Sequence, residues 1–338
     1  MRASTPPPTQ PPPRALVAPD SFKGTFDAAT VADALARGLE RAGWQVDRCP
    51  VADGGEGTMS LLAEALHGRL VPVTASDPLG RSVDCHVAII EDMAIVETAQ
   101  ASGLALVAEH ERDPWAASTR GTGELILAAV AAGAREILVA VGGSATTDGG
   151  RGAIDAIRAG GGLGAARLAV LSDVECAFED AARVFGPQKG ADAAMVARLE
   201  QRLAQLARAL PKDPRGVRAT GAAGGLSGGL WAAFDAELRP GAAAVLDALR
   251  VDERMRAAQL VVAGEGRIDE QSFGGKIVGE LARRARAAGV PIHAVVGACG
   301  LPEEDWARAG LERVWTASTL TQIEAAGRAL GTAAPRAS

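Results

Sequence analysis

Lysine is scarce in this chain, and the places where it survives are informative. Four lysines stand among 338 residues, against 31 arginines. Three of the four lie in glycine-bearing polar loops. Lys23 sits in Asp20-Ser21-Phe22-Lys23-Gly24 and Lys189 in Gly186-Pro187-Gln188-Lys189-Gly190. Lys276 closes the run Gly264-Glu265-Gly266-Arg267-Ile268-Asp269-Glu270-Gln271-Ser272-Phe273-Gly274-Gly275-Lys276. Lys212, in a Pro/Asp/Gly stretch, reads as an ordinary loop residue. A composition that uses guanidinium for general surface charge keeps lysine where a compact ammonium is wanted. Lysine beside glycine and carboxylate suits phosphate and small acids.

The acids point the same way. Asp20, Asp53, Glu56, Asp148, Glu265 and Asp269 all fall in expected strand-end loops, whereas Asp27 and Asp192 read as helix caps. Phosphoryl transfer needs carboxylates to hold Mg²⁺, which takes oxygen ligands and few protein ones. It also needs one to accept the proton of the attacking hydroxyl. Gly142-Gly143-Ser144-Ala145-Thr146-Thr147-Asp148-Gly149-Gly150 follows an expected strand and opens a helix. Backbone N–H groups at such a junction hold anions, and three hydroxyls add donors. Neither a P-loop nor G-x-G-x-x-G is present, since Ile277 follows Lys276, so a nucleotide would bind by another scaffold. No G-x-S-x-G elbow occurs, and His67, His86, His110 and His293 are dispersed, which argues against a triad or a histidine zinc site. His110-Glu111 lies in a loop rich in Asp, Glu and Arg and reads as solvated surface.

Composition narrows the class. A net charge of −6 with no basic run leaves no nucleic-acid footprint, and 3% aromatics without tyrosine leaves no base-stacking platform. Cys49, Cys85, Cys176 and Cys299 form no C-x-x-C and read as reduced thiols of a cytoplasmic protein. The apolar run from Leu125 to Ala132 is too short to span a bilayer.

The elements that must position these loops follow from periodicity. Residues 1–13 carry six prolines and read as a disordered tail. Ala15 to Ala18 is an expected strand. A helix follows with Val31, Leu35 and Leu39 on one face and Thr25 or Asp27 as its cap. Val46 to Val51 is the next strand, and Asp53-Gly54-Gly55-Glu56-Gly57-Thr58 opens a second helix. Arg69 to Thr74, Ser82 to Ile90 and Ala94 to Glu97 alternate like a meander. Later come strands at Ile137–Val141, Leu168–Leu171 and Leu260–Ala263 and a helix over 192–209. The C-terminal stretch returns to alternating strands and helices. The expectation is an α/β protein with a doubly wound parallel sheet that carries a large insertion.

The loops, taken together and in order, resemble the class I glycerate kinase family. The motifs are Ala18-Pro19-Asp20-Ser21-Phe22-Lys23-Gly24, Ala52-Asp53-Gly54-Gly55-Glu56-Gly57-Thr58, Asp77-Pro78-Leu79-Gly80-Arg81, Glu97-Thr98-Ala99-Gln100-Ala101-Ser102-Gly103-Leu104 and Ser118-Thr119-Arg120-Gly121-Thr122-Gly123-Glu124-Leu125. They continue with Gly142 to Gly150, Val184 to Ala191, Gly221 to Leu226 and Gly264 to Ser272. The chain departs from the family between Arg158 and Asp173, where it is shorter, and at Asp173-Val174-Glu175-Cys176.

The resemblance implies two α/β domains, one flavodoxin-like and discontinuous, with the active site in the cleft between them. The boundaries expected here are 14–68 with 289–332 for the flavodoxin-like domain and 69–288 for a mixed α/β insertion. The implied reaction is ATP-dependent phosphorylation of D-glycerate to phosphoglycerate, with ATP and Mg²⁺, in a cytoplasmic monomer or homodimer without nucleic-acid or membrane partners. The product, 2-phospho- or 3-phosphoglycerate, stays open. Lys23, Asp53, Asp148 and Lys276 are the candidate catalytic residues. Ser21, Gly54, Gly55, Gly142, Gly143, Ser144, Thr147, Lys189 and Arg267 are candidates for substrate or phosphate, and Asp53, Asp148, Glu265 and Asp269 for metal. The alternatives are a kinase or phosphatase for another small hydroxy acid, or an inactive sugar-acid-binding paralogue.

Overall fold

Short apolar runs that end in polar, glycine-bearing loops are what buried parallel strands require, because both faces must be covered. The computed structural model of the chain describes residues 11–22 and 24–333, so Lys23 and the first ten residues of the proline-rich tail lie outside the described residues. Its strands, in chain order, are β1 (Arg14–Pro19), β2 (Gln45–Arg48), β3 (Arg69–Ser76), β4 (Ser82–Ile90), β5 (Met93–Glu97), β6 (Glu136–Ala140), β7 (Arg167–Leu171), β8 (Glu237–Arg239), β9 (Leu260–Ile268), β10 (Ile292–Cys299) and β11 (Arg313–Thr316). The chain divides into two compact units at Val51/Ala52 and at Leu249/Arg250, each with its own sheet.

The first unit joins the two ends of the chain in a parallel sheet of order β11-β10-β9-β1-β2. Counted within the unit this is the 2-1-3-4-5 order of flavodoxin-like folds. Chain order reverses between β1 and β9, which pair from Ala15↔Leu260 to Pro19↔Gly264. The carboxyl ends of these two strands therefore flank the switch point, where open α/β sheets carry their ligands. Val17, Leu35, Leu39, Val262, Val295, Ile323 and Leu330 form the core on one face. Asp27 caps the helix Ala28–Arg41 by accepting from Thr30 N–H at 2.7 Å. That helix packs against Leu320–Ala333, and Gly38 and Gly327 let the two backbones touch.

The second unit starts with the meander β3-β4-β5, antiparallel throughout, and continues in parallel through β6, β7 and β8. Val96, Leu125, Ile126, Ile137, Val139, Ile157, Val170 and Leu226 are among its core residues. Among the described residues no helix is long and apolar enough to cross a membrane.

The units differ from the boundaries read in the sequence. Residues 52–68 belong with the meander, because Met59 N–H donates to Glu97 at the end of β5, and a Cβ at Gly68 would meet Ile90. Residues 250–288 belong with the chain ends, because β9 is the strand that lies between β1 and β10. A strand followed by a polar loop and a helix looks alike in either sheet, so periodicity cannot assign it.

The helix contact supplies a test. A Cβ at Gly38 would stand 2.1 Å from Glu324 O and 2.6 Å from Arg328 N, both backbone atoms. Gly→Ala within a helix ordinarily stabilises by about 0.5–1 kcal/mol. Here overpacking wins, and Gly38→Ala lowers stability by roughly 1–3 kcal/mol in urea unfolding. An unchanged or raised midpoint contradicts the contact.

Candidate active site

The loop from Gly142 to Gly150 is organised by a carboxylate inside it. Asp148 is 1% exposed. Its Oδ1 accepts from Gly150 N–H at 3.0 Å and from Thr119 Oγ1 at 3.1 Å. Its Oδ2 accepts from Thr119 N–H at 2.9 Å, Thr119 Oγ1 at 2.8 Å and Gly152 N–H at 3.0 Å. Thr119 Oγ1 in turn accepts from Ala153 N–H at 3.0 Å. Asp148 thus caps the helix Arg151–Ala159 and ties it to the start of Arg120–Ala131. The sequence reading makes Asp148 a candidate metal ligand or base; in the structure both of its oxygens accept from internal donors, which is the geometry of a cap. It also means that this helix N-terminus is satisfied from within. The donors left to the loop are earlier: among the described residues the N–H groups of Gly142, Gly143, Thr146 and Thr147 have no partner. The Thr146 and Thr147 hydroxyls are buried without a partner as well.

Lys189 lies beneath this loop. It ends the short turn Pro187–Lys189, is 2% exposed, and donates from Nζ to Thr146 O at 2.6 Å and to Ser144 Oγ at 3.0 Å. Burial pushes its ammonium down to about 7, and the Asp148 carboxylate opposes that fall. The sequence reading made it a substrate or phosphate ligand. In the structure both hydrogen bonds of its ammonium go to the loop itself, so it braces that loop.

The Asp53–Gly57 segment rests directly on this loop. A Cβ at Gly142 would stand 2.9 Å from Gly55 Cα, and one at Gly54 would stand 2.5 Å from Gly241 Cα. Only glycine permits such backbone contact. Asp53 Oδ1 accepts from Gly55 N–H at 3.1 Å, an Asx turn. Two acids not chosen from the sequence belong here. Glu97 is 5% exposed and its carboxyl is raised by burial, against the Met59 and Gly57 N–H bonds, with the Glu56 charge adding to the rise. Asp173 Oδ1 accepts from Gly241 N–H at 2.7 Å, so it caps the helix Gly241–Ala248. Glu97 stands in a motif quoted above and Asp173 in a segment where the chain departs from the family, which are the only signals for them.

The remaining candidates are carried by the first unit, at the ends of β1 and β9. Ser21 N–H donates to Asp20 Oδ1 at 2.6 Å. Glu265 is 8% exposed, and its Oε1 is buried without a partner. Burial pushes its carboxyl up to about 7. A bond from Ser272 and the Lys276 charge oppose this, and the Asp20 and Asp269 charges add to it. Lys276 is half-buried at the N-cap of Ile277–Ala288, and Arg267 is exposed. Among the described residues no three His, Cys, Asp or Glu side chains group as a metal cluster. Mg²⁺ needs only one or two carboxylates beside water and phosphate oxygens. An orphaned carboxylate oxygen with an acidic neighbour fits that need.

Comparison with known proteins now decides the family. The sequence pattern of the Glycerate kinase family matches residues 15–161 and 160–335. The chain belongs to the glycerate kinase family, and it is a kinase. The two matched segments meet at the turn after Arg151–Ala159, where the sequence reading finds the chain shorter than the family. Among curated relatives, "Glycerate kinase" of Bacillus subtilis (strain 168) is 38% identical over 321 residues, covering 83% of this chain and 84% of the relative. "Glycerate 2-kinase" of Escherichia coli (strain K12) is 37% identical over 321 residues, covering 83% and 84%. A solved structure, described as a putative glycerate kinase 2 from Salmonella typhimurium LT2, superposes with a TM-score of 0.82 at 32% identity, covering 95% of this chain and 97% of that one.

Glu265 gives a pH test on the protein without nucleotide or divalent ions. Its folded value of about 7 lies above the ordinary 4.5. Between those values the unfolded chain releases the proton and the folded chain keeps it, so the folded form loses stability as pH rises. Glu265→Gln removes that penalty. Relative to the parent protein, the variant therefore gains stability between pH 5 and pH 8 in urea unfolding. Parallel pH profiles of the two proteins contradict the burial account.

Proposed function

We propose that the protein transfers the terminal phosphoryl group of Mg·ATP to a hydroxyl of D-glycerate. One observation carries the reading: a glycine loop of a glycerate kinase family chain, held from within by Asp148 and Lys189, keeps four N–H groups without internal partners. Phosphoryl transfer asks the protein mainly for positioning and charge stabilisation, and preorganised amide donors supply both.

In this reading the N–H groups of Gly142, Gly143, Thr146 and Thr147 hold an oxyanion of the reactants. Gly54 and Gly55 keep the neighbouring backbone close enough to shape that pocket. Lys189 fixes Ser144 and Thr146 in place. With Asp148 engaged as a cap, Asp53 is the candidate to accept the proton of the attacking hydroxyl. Glu265 and Asp269 are the candidates to hold Mg²⁺, and Ser21, Arg267 and Lys276 to meet phosphate. Lys23, outside the described residues, keeps its place beside them on the sequence alone. When bound, Mg²⁺ neutralises charge on the transferring phosphates. The cysteines are free in the fold, which supports a reducing, cytoplasmic setting.

A coupled assay of ADP release tests this. With Mg·ATP, D-glycerate is expected to give turnover well above the background ATPase, glycerol little, and chelation of Mg²⁺ none. No ADP above background with D-glycerate, or faster turnover of another hydroxy acid in a panel, would sink the reading.

A further inference from the structure

Arg112 stands out among the arginines of the second unit. It follows the short turn Glu109–Glu111 and is half-buried. Its Nε is sealed from solvent with no hydrogen-bond partner. The acids on either side of it are engaged elsewhere. Glu111 pairs with Arg81 at 3.2 Å, and Asp113 accepts from the N–H groups of Trp115 at 2.9 Å and Ala116 at 3.1 Å. Among the described residues Arg112 therefore has no carboxylate partner. A buried guanidinium donor without a partner is costly, and such groups are ordinarily satisfied.

The segment that carries Arg112 is hydrogen-bonded to the glycine loop at its start and packs beside Gly190, next to Lys189, at Arg112. At its start, Leu104 N–H donates to Gly143 O at 2.8 Å, and Ala145 N–H donates to Ser102 O at 2.9 Å. At its end, a Cβ at Gly190 would stand 3.2 Å from Arg112 Cβ, and the adjoining Lys189 bonds Ser144 and Thr146. Lys189 faces inward and is used up by the loop. Arg112, beside Gly190, makes no side-chain hydrogen bond to the loop or to a carboxylate among the described residues.

We infer that Arg112 is a specificity-determining residue, whose guanidinium receives the carboxylate of the acceptor acid. The inference rests on the reading of the protein as a D-glycerate kinase. Glycerate carries a carboxylate that takes no part in the transfer, and its negative charge must be met. A planar fork of donors matches two carboxylate oxygens in a way that an ammonium does not. Glycerol keeps both hydroxyls and carries a third in place of the carboxylate, so the contact is also what separates the two acceptors.

The test compares the parent protein with Arg112→Met and Arg112→Lys, using D-glycerate, glycerol and ATP in steady-state assays. For Arg112→Met the KM for D-glycerate rises roughly 10–100-fold, the range expected for charge-assisted hydrogen bonds. The KM for ATP stays within about twofold, and the preference for D-glycerate over glycerol falls by a similar 10–100-fold factor. Arg112→Lys lies between, since it keeps the charge and loses the fork. Thermal unfolding adds a readout independent of turnover: D-glycerate raises the midpoint of the parent protein and not that of Arg112→Met, while Mg·ATP raises both. A rise in the ATP KM instead, an equal loss with both acceptors, or no change overturns the inference. A parent protein that neither turns over nor is stabilised by D-glycerate overturns the functional reading beneath it.

Discussion

The carboxylate of Asp148, nearly sealed from solvent, sets the shape of the second unit's glycine loop from Gly142 to Gly150. A buried charge is tolerated only when hydrogen bonds replace the water it has lost. Asp148 meets that condition with three backbone N–H groups and one hydroxyl, drawn from two helix starts. The Gly142–Gly150 loop has to follow the path that brings those donors in, and Gly143, Gly149 and Gly150 take the positive φ angles that path demands. Lys189 then braces the same loop from below through Ser144 and Thr146. Removing one partner of such a set leaves a buried polar atom unsatisfied, at a cost of about 1–3 kcal/mol.

The first unit solves the opposite problem. At the ends of β1 and β9, Glu265 is buried with one oxygen unanswered. There the protein keeps a destabilising group at the switch point of a doubly wound sheet, where ligands are expected. Asp148 and Glu265 are thus acids with contrasting roles. The first is satisfied and builds the scaffold, and the second is unsatisfied and suited to a ligand. Composition alone made them equal candidates.

Much of the fold was legible because it rests on local signals. Val31, Leu35 and Leu39 share a face, and Asp27 caps their helix as its position suggested. Asp192 likewise caps Ala193–Ala209, and the alternating residues of 69–97 form the meander. What stayed hidden is non-local. Whether β9 joins one sheet or the other depends on its pairing with β1, more than 240 residues earlier, as well as with β10. Whether a carboxylate beside glycine is a ligand or a cap depends on how many donors converge on it, and Thr119 lies 29 residues from Asp148. Lys189 stands out in the sequence as one of few lysines, but its burial and its bonds to Ser144 and Thr146 leave no mark there. Arg112 sat in a charged loop that read as solvated surface. Only its sealed Nε and the engagement of Glu111 and Asp113 set it apart.

The central claim is that Asp148 holds the loop in shape before any ligand arrives. Residue-resolved amide hydrogen exchange of the ligand-free protein tests it most directly, with Asp148→Asn alongside. The expected result is slow exchange at Gly150, Gly152 and Thr119 in the parent protein. In the variant these amides should exchange fast while those of β6 stay protected. Amides of Gly150 and Gly152 that exchange in the parent protein as freely as that of exposed Gly24, or that keep their protection in Asp148→Asn, would contradict it.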